Sequence, residues 1–210
     1  MQRKDVKLGV QKVIKEKKLY EDLLNSLASI KDELPKDWNL ICIGRDDGIL
    51  EKLKKITVTM AIDQHIHWIT SCEEVSSYLN ASDIGILCSH EEGFSNSLLE
   101  GMATKLPMIA TNVGGNTEAI IHNFNGIVVP ARDLKQLSQA ILKLSNNKSL
   151  RAKLGNLSYE RVTNKFTLAK CAQDYSSFYN NLYSRNLEFN SELNKNDKVI
   201  KEFGEEYYQE

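Results

Sequence analysis

The chain has 210 residues, 41% hydrophobic and 26% charged, with a formal net charge of −1. Such an apolar fraction supports a packed core and excludes disordered and collagen-like classes, and the length fits one domain with an extension. The balanced charge argues against a nucleic-acid binder, and no run of about 18 apolar residues is present to cross a membrane.

The predicted elements alternate between strand and helix. Val6–Val10 is a short strand. Residues 19–34 carry Leu19, Leu23, Leu24, Leu27 and Ile30 on one helical stripe, and Pro35 breaks it. Leu40-Ile41-Cys42-Ile43 is a wholly apolar run ending at Gly44, as expected of a strand buried on both faces. The turn Arg45-Asp46-Asp47-Gly48 lacks the GxGxxG pattern of a dinucleotide loop and reads as helix initiation. A helix over about 48–57 follows, with Ile49, Leu50, Leu53 and Ile56 on one face, then a strand over His65–Ile69.

A short helix over Glu73–Asn80 leads to the buried strand Ile84–Cys88. Ser95–Thr104 is helical, Pro107–Ala110 a strand, and Asn116–His122 a helix. Gly126–Val129 is a strand closed by Pro130. Helices follow at 134–144, 149–162 and 166–184, the last with Thr167 as a plausible cap. Six strands alternating with helices of this size imply right-handed βαβ units. The expected fold is α/β, a doubly wound, Rossmann-like parallel sheet with helices on both faces. Ligands in such folds bind beyond the carboxyl ends of the strands. Residues 1–184 are expected to form this domain and 185–210 a polar, acidic extension.

Charge is unevenly distributed. Residues 1–18 hold seven basic and two acidic side chains, a net of +5, and residues 185–210 hold four basic and seven acidic, a net of −3. Such runs are ordinarily solvated surface, but lysines beside a strand end can also meet an anion. Cys42, Cys72, Cys88 and Cys171 form no CxxC pair and read as reduced structural thiols. His65 and His67 would share one face of a strand, with no further ligand spacing to suggest a metal. The first residues, MQRKDVKLGVQK, carry no apolar core of a signal peptide. A cytoplasmic protein is therefore expected.

The most informative stretch is SHEEGFSNSLLEGMATKLPMIATNVGGNTE, residues 89–118, directly after a buried strand. Gly93 permits a tight turn close to a ligand. Ser95 and Asn96 are good helix caps, and the amides of the helix they begin favour an anion or a sugar group. Glu92 and Glu100 could each accept paired bonds from vicinal hydroxyls. Glu100 lies between Leu99 and Met102 in a mostly apolar helix, where an unpaired charge would be costly.

EGFSNSLLE, residues 92–100, closely resembles the glycosyltransferase family 4 signature of two glutamates separated by seven residues. The similarity extends upstream through NASDIGILCSHEEGF and downstream through GMATKLPMIATNVGGNTEAI and NGIVVPARDLKQLSQAILKL. It covers about residues 6–184. The resemblance implies the C-terminal, donor-binding half of a GT-B enzyme, which moves a sugar with retention from a nucleotide diphosphate to an acceptor. Polysaccharide or glycoconjugate biosynthesis is the expected setting.

Carried over by position, Glu100 would bind the ribose hydroxyls and Glu92 the transferred sugar. The amides of Gly93, Phe94, Ser95 and Asn96 would approach the sugar and phosphates, and Gly114-Gly115 would line the donor side. Lys17 matches the family's pyrophosphate lysine, and Lys12 stands where the family has arginine. Lys12 keeps the charge but loses the planar fork. Gln11 replaces a usual glycine. No cofactor and no metal is implied, the nucleotide-sugar being a substrate.

The resemblance also implies a second, acceptor-binding half, which the 210 residues do not contain. It is expected as a missing N-terminal domain or a partner chain, through which association with the inner face of the membrane could occur. Isolated, the chain is expected not to transfer sugar. Two other readings stay open: a nucleotide-sugar-binding subunit without chemistry, and a GT-B epimerase.

Overall fold

The structure is a computed structural model, and it describes residues 6–11, 17–70 and 72–186. Its centre is a six-stranded sheet in the order β3-β2-β1-β4-β5-β6. The strands are β1 Lys7–Gln11, β2 Asn39–Ile43, β3 Ile66–Ile69, β4 Ile84–Leu87, β5 Met108–Thr111 and β6 Gly126–Val129. All neighbouring pairs are parallel. This is the expected doubly wound arrangement, with the order of strands reversing between β1 and β4.

Helices α1 Lys17–Ile30, α2 Leu50–Thr59, α3 Val75–Ala81, α4 Asn96–Ala103, α5 Asn116–Ala119, α6 Leu134–Ser145 and α7 Lys148–Lys165 cover the sheet. On one side α1 packs on α2 and α6, and elsewhere α4 packs on α7. The apolar stripe of α1 is buried as its periodicity requires: Leu19, Leu23, Leu24, Leu27 and Ile30, with Tyr20 beside them. These side chains meet Leu8, Leu40, Cys42, Ile84 and Ile86 of the sheet and Leu137, Ile141 and Leu144 of α6 in one core. Each fully buried Leu or Ile contributes about 1.5–3 kcal/mol relative to leaving it in water.

Central β4 and β5 are buried at every position. In β2, however, Ile41 is only half-buried, so one face of that strand is less covered than its apolar run suggests. At the edge, β3 is buried only at Ile66. His65 lies before this strand, in a single 3-10 turn at Asp63–His65. It stacks on Trp38 with ring centroids 4.3 Å apart, and its Nδ1 bonds the Trp38 carbonyl at 2.8 Å. His67 lies in β3 and bonds Asn39 Oδ1 at 2.7 Å. The two histidines thus have separate structural partners and do not share a strand face. Cys42 and Cys88 are buried and all four cysteines are free. Burial, reinforced by the neighbouring Cys88, holds the Cys42 thiol far above its ordinary pKa.

The Arg45–Gly48 turn does initiate α2. Asp46 Oδ1 accepts bonds from the N–H groups of Gly48, Ile49 and Leu50 at 2.8, 3.0 and 3.2 Å. Desolvation pushes this carboxyl up, but those three bonds and Lys54 outweigh it, so its pKa is lowered.

Helix α5 is shorter than the expected 116–122. Ile120 is extended, and the α5 carbonyls find partners from outside the helix. Arg161 of α7 donates to the Ala119 and Glu118 carbonyls at 2.9 and 2.7 Å. The buried Asn125 side chain donates to the Ala119 carbonyl at 3.1 Å and accepts from Ile121 N at 2.7 Å. These bonds replace the next helical turn.

The compact unit containing the sheet runs to Lys165, and a second unit spans Phe166–Glu210. Within it, residues 168–186 form one helix. Thr167 caps it, its Oγ1 accepting from Lys170 N at 3.1 Å.

Candidate functional site

Strands β1, β4 and β5 are adjacent, and Gly9, Gly85 and Met108 stand level across them. Two residues further on lie Gln11, Leu87 and Ala110. The three strands therefore end at about the same height, where the strand order reverses. Such a switch point is where open parallel sheets bind ligands. The segment after β4 is Cys88–Ser95 and carries Glu92. The segment after β5 is Asn112–Gly115 and carries the two glycines. The segment after β1 carries Lys12, which lies outside the described residues, and leads to Lys17, the first residue of α1.

Two of these loops interlock. The Gly115 N–H donates to the Gly93 carbonyl at 2.6 Å. Gly114 has φ +49°, and a Cβ built on it would fall on the Glu92 carbonyl oxygen. A Cβ on Gly115 would meet Phe94 Cδ2 at 2.5 Å. Only two residues without side chains let the β5 loop reach the backbone that carries Glu92.

The β4 loop has further anchors. Ser89 Oγ donates to Glu92 Oε1 at 2.7 Å. Thr111 Oγ1 donates to the Ser89 carbonyl at 2.6 Å. His90 Nε2 donates to Asp22 Oδ2 at 2.7 Å, with the two side chains 13% and 25% exposed. That contact ties the loop to α1 at Asp22, five residues beyond Lys17.

Glu92 is half-buried, Gly93, Phe94 and Asn96 are exposed, and Ser95 is buried. Ser95 occupies the cap position of α4, but its side chain makes no cap bond. The Ser95 carbonyl accepts the first bonds of α4, from Leu98 N and Leu99 N at 3.2 and 3.3 Å. Glu100 is exposed, because α4 buries Leu98, Gly101 and Met102. Sequence neighbours on a helix point about 100° apart, so the apolar company of Glu100 is in sequence and not in space. The expected cost of burying its charge does not arise, and the case for Glu100 rests on its place five residues into α4.

Asp22, Ser89, His90, Thr111 and Arg161 were not singled out from the sequence. Ser89 and Thr111 had one available signal, since Thr111 ends the apolar strand β5 and Ser89 follows β4 by two residues, both at the ligand-binding edge.

A doubly wound parallel sheet with two of its loops gathered at the switch point defines a Rossmann-like domain. Residues 2–161 match the family described as Glycosyl transferases group 1, and the chain belongs to that family. An uncharacterized glycosyltransferase of Methanocaldococcus jannaschii is 33% identical over 148 residues, covering 70% of this chain and 41% of that protein. The capsular polysaccharide biosynthesis glycosyltransferase CapM of Staphylococcus aureus is 27% identical over 175 residues, covering 81% and 44%. The chain thus spans less than half the length of these relatives.

Among solved structures, the C-terminal domain of the group 1 glycosyl transferase LpcC from Francisella tularensis superposes with a TM-score of 0.70 at 26% identity, covering 78% of this chain and 87% of that one. Anabaena HepE in complex with UDP superposes with a TM-score of 0.78 at 16% identity, covering 85% and 49%. At that identity the second likeness concerns the fold.

Proposed function

We propose that the chain is the donor-binding half of a retaining glycosyltransferase of family 4, using a nucleotide diphosphate sugar. The observation that carries this reading is the interlocked pair of loops at the β1–β4–β5 edge, which holds Glu92 at the start of the Glu-seven-Glu signature. In the transfer, the bond between the anomeric carbon and the diphosphate oxygen breaks, its electron pair leaves with the diphosphate, and an acceptor hydroxyl oxygen takes its place on the same face of the carbon while its proton passes to the departing diphosphate. Lys12, Lys17 and the first amides of α4 supply positive potential where that charge develops. Glu92 accepts from hydroxyls of the transferred sugar. Glu100 accepts from the ribose hydroxyls, in keeping with its exposed place on α4. The backbone of Gly93, Phe94, Ser95 and Asn96 approaches the sugar and phosphates.

Relatives about twice as long support a second half that binds the acceptor, whether upstream or on a partner chain, and full turnover needs it. CapM is named for capsular polysaccharide biosynthesis, which supports a related setting for this chain. Substitution of lysine for arginine at position 12 favours one further reading, a subunit that binds the nucleotide-sugar and leaves chemistry to another chain.

Calorimetry with UDP, GDP, ADP and their glucose or mannose conjugates tests the donor site. One nucleoside diphosphate should bind, and Glu100→Ala should abolish that binding with an unchanged melting curve. Equal binding by Glu100→Ala would remove the ribose assignment.

A further inference from the structure

Two hydroxyls outside the motif stand in a line behind Glu92. Ser89, the second residue after β4, is fully buried, and its Oγ donates to Glu92 Oε1 at 2.7 Å. The Ser89 carbonyl accepts from Thr111 Oγ1 at 2.6 Å. Thr111, the last residue of β5, is itself buried, and its carbonyl accepts from Asn116 Nδ2 at 3.0 Å. Asn116 is the buried first residue of α5, just after the two glycines. The carboxylate is thereby tied, through two consecutive bonds, to the ends of two core strands, and a third bond joins the end of β5 to α5.

A glutamate on a loop has several rotatable bonds, and fixing such a side chain costs conformational entropy. A carboxylate offers about four acceptor positions. A buried donor that occupies one of them sets the plane in which the others point. Hydrogen bonds to a charged group are also short and strong.

We propose that Ser89 and Thr111 are positioning residues that aim the Glu92 carboxylate at a hydroxyl of the donor's sugar. Neither touches the ligand. The proposal rests on the donor-site reading above, and it places their effect on the sugar and not on the nucleotide.

The test is the ratio of two affinities, nucleotide-sugar over free nucleoside diphosphate, measured by calorimetry on the full chain. The probes are UDP-glucose with UDP, GDP-mannose with GDP and ADP-glucose with ADP, using the pair that the parent chain binds. Ser89→Ala should lower the ratio about five- to tenfold, with affinity for the free diphosphate held within about twofold. In a Glu92→Ala background the same change should lower the ratio no further. A merely structural role for Ser89 predicts equal losses for both ligands and the same loss in either background, and that result would overturn the proposal. So would an unchanged ratio. If Ser89→Ala fails to melt cooperatively, Thr111→Val against Thr111→Ser asks the same question: the ratio should fall with valine and recover with serine. A parent chain that binds neither ligand of any pair would refute the donor-site reading itself, a different outcome from a parent that binds and a ratio that stays constant.

Discussion

Replacing Gly114 by alanine should damage stability and site together. The residue sits at φ +49°, a region that costs a residue with a side chain about 1–2 kcal/mol. The added methyl would also fall on the Glu92 carbonyl oxygen. Forcing one extra carbon into a filled space typically costs about 1–3 kcal/mol more. Urea unfolding of Gly114→Ala should therefore show a loss of about 2–5 kcal/mol, unless the Glu92–Gly93 backbone moves aside. In that case stability is partly recovered and nucleotide-sugar affinity falls instead. Gly48→Ala separates the two terms. Gly48 has φ +95° with open space around its missing Cβ, so that variant carries backbone strain alone and leaves the loops intact. A larger loss for Gly114→Ala than for Gly48→Ala, whose φ lies further from the left-handed helical region, would assign the excess to the contact between loops. If Gly114→Ala matches the parent in both stability and nucleotide-sugar affinity, the loops do not interlock as described.

Other expectations are simpler. Lys12→Arg should tighten binding of a nucleoside diphosphate several-fold in calorimetry, because a guanidinium grips phosphate in two places; unchanged affinity would put Lys12 away from the diphosphate. Asn125→Ala strands the Ile121 N–H and removes a donor from the Ala119 carbonyl, and should cost about 2–3 kcal/mol in urea unfolding. Asp46→Asn should lower the melting temperature at pH 7. The Asp46 pKa is depressed in the folded chain, so its contribution is present above the ordinary aspartate value of about 3.9 and is lost as pH falls through the lower folded value. The gap between parent and variant should close in that acid range.

The sheet could be read from the sequence because its strands are buried. IGIL at β4 and MIAT at β5 have no solvent face to confuse the pattern, and the α1 stripe repeats cleanly. Elements ended by distant partners could not be read. Arg161, 42 residues away from Ala119, completes the end of α5, and no local pattern announces that. The motif glutamates are legible by spacing, but the exposure of Glu100 is not, because its apolar neighbours in sequence lie on another face of α4. Ser95 illustrates a similar limit: a good capping residue in the right place whose side chain is not used as a cap. The loop interlock was half legible, since two glycines signal a close approach without naming what approaches.

The central claim is that the loops after β1, β4 and β5 form one nucleotide-sugar site. Backbone amide NMR of the labelled chain, titrated with the nucleotide-sugar that binds best, tests it most directly. Shifts should concentrate on residues 12–17, 89–100 and 112–116, with His65 and His67 at the β3 edge of the sheet unmoved. Saturable shifts centred elsewhere, with those three segments still, would contradict the account.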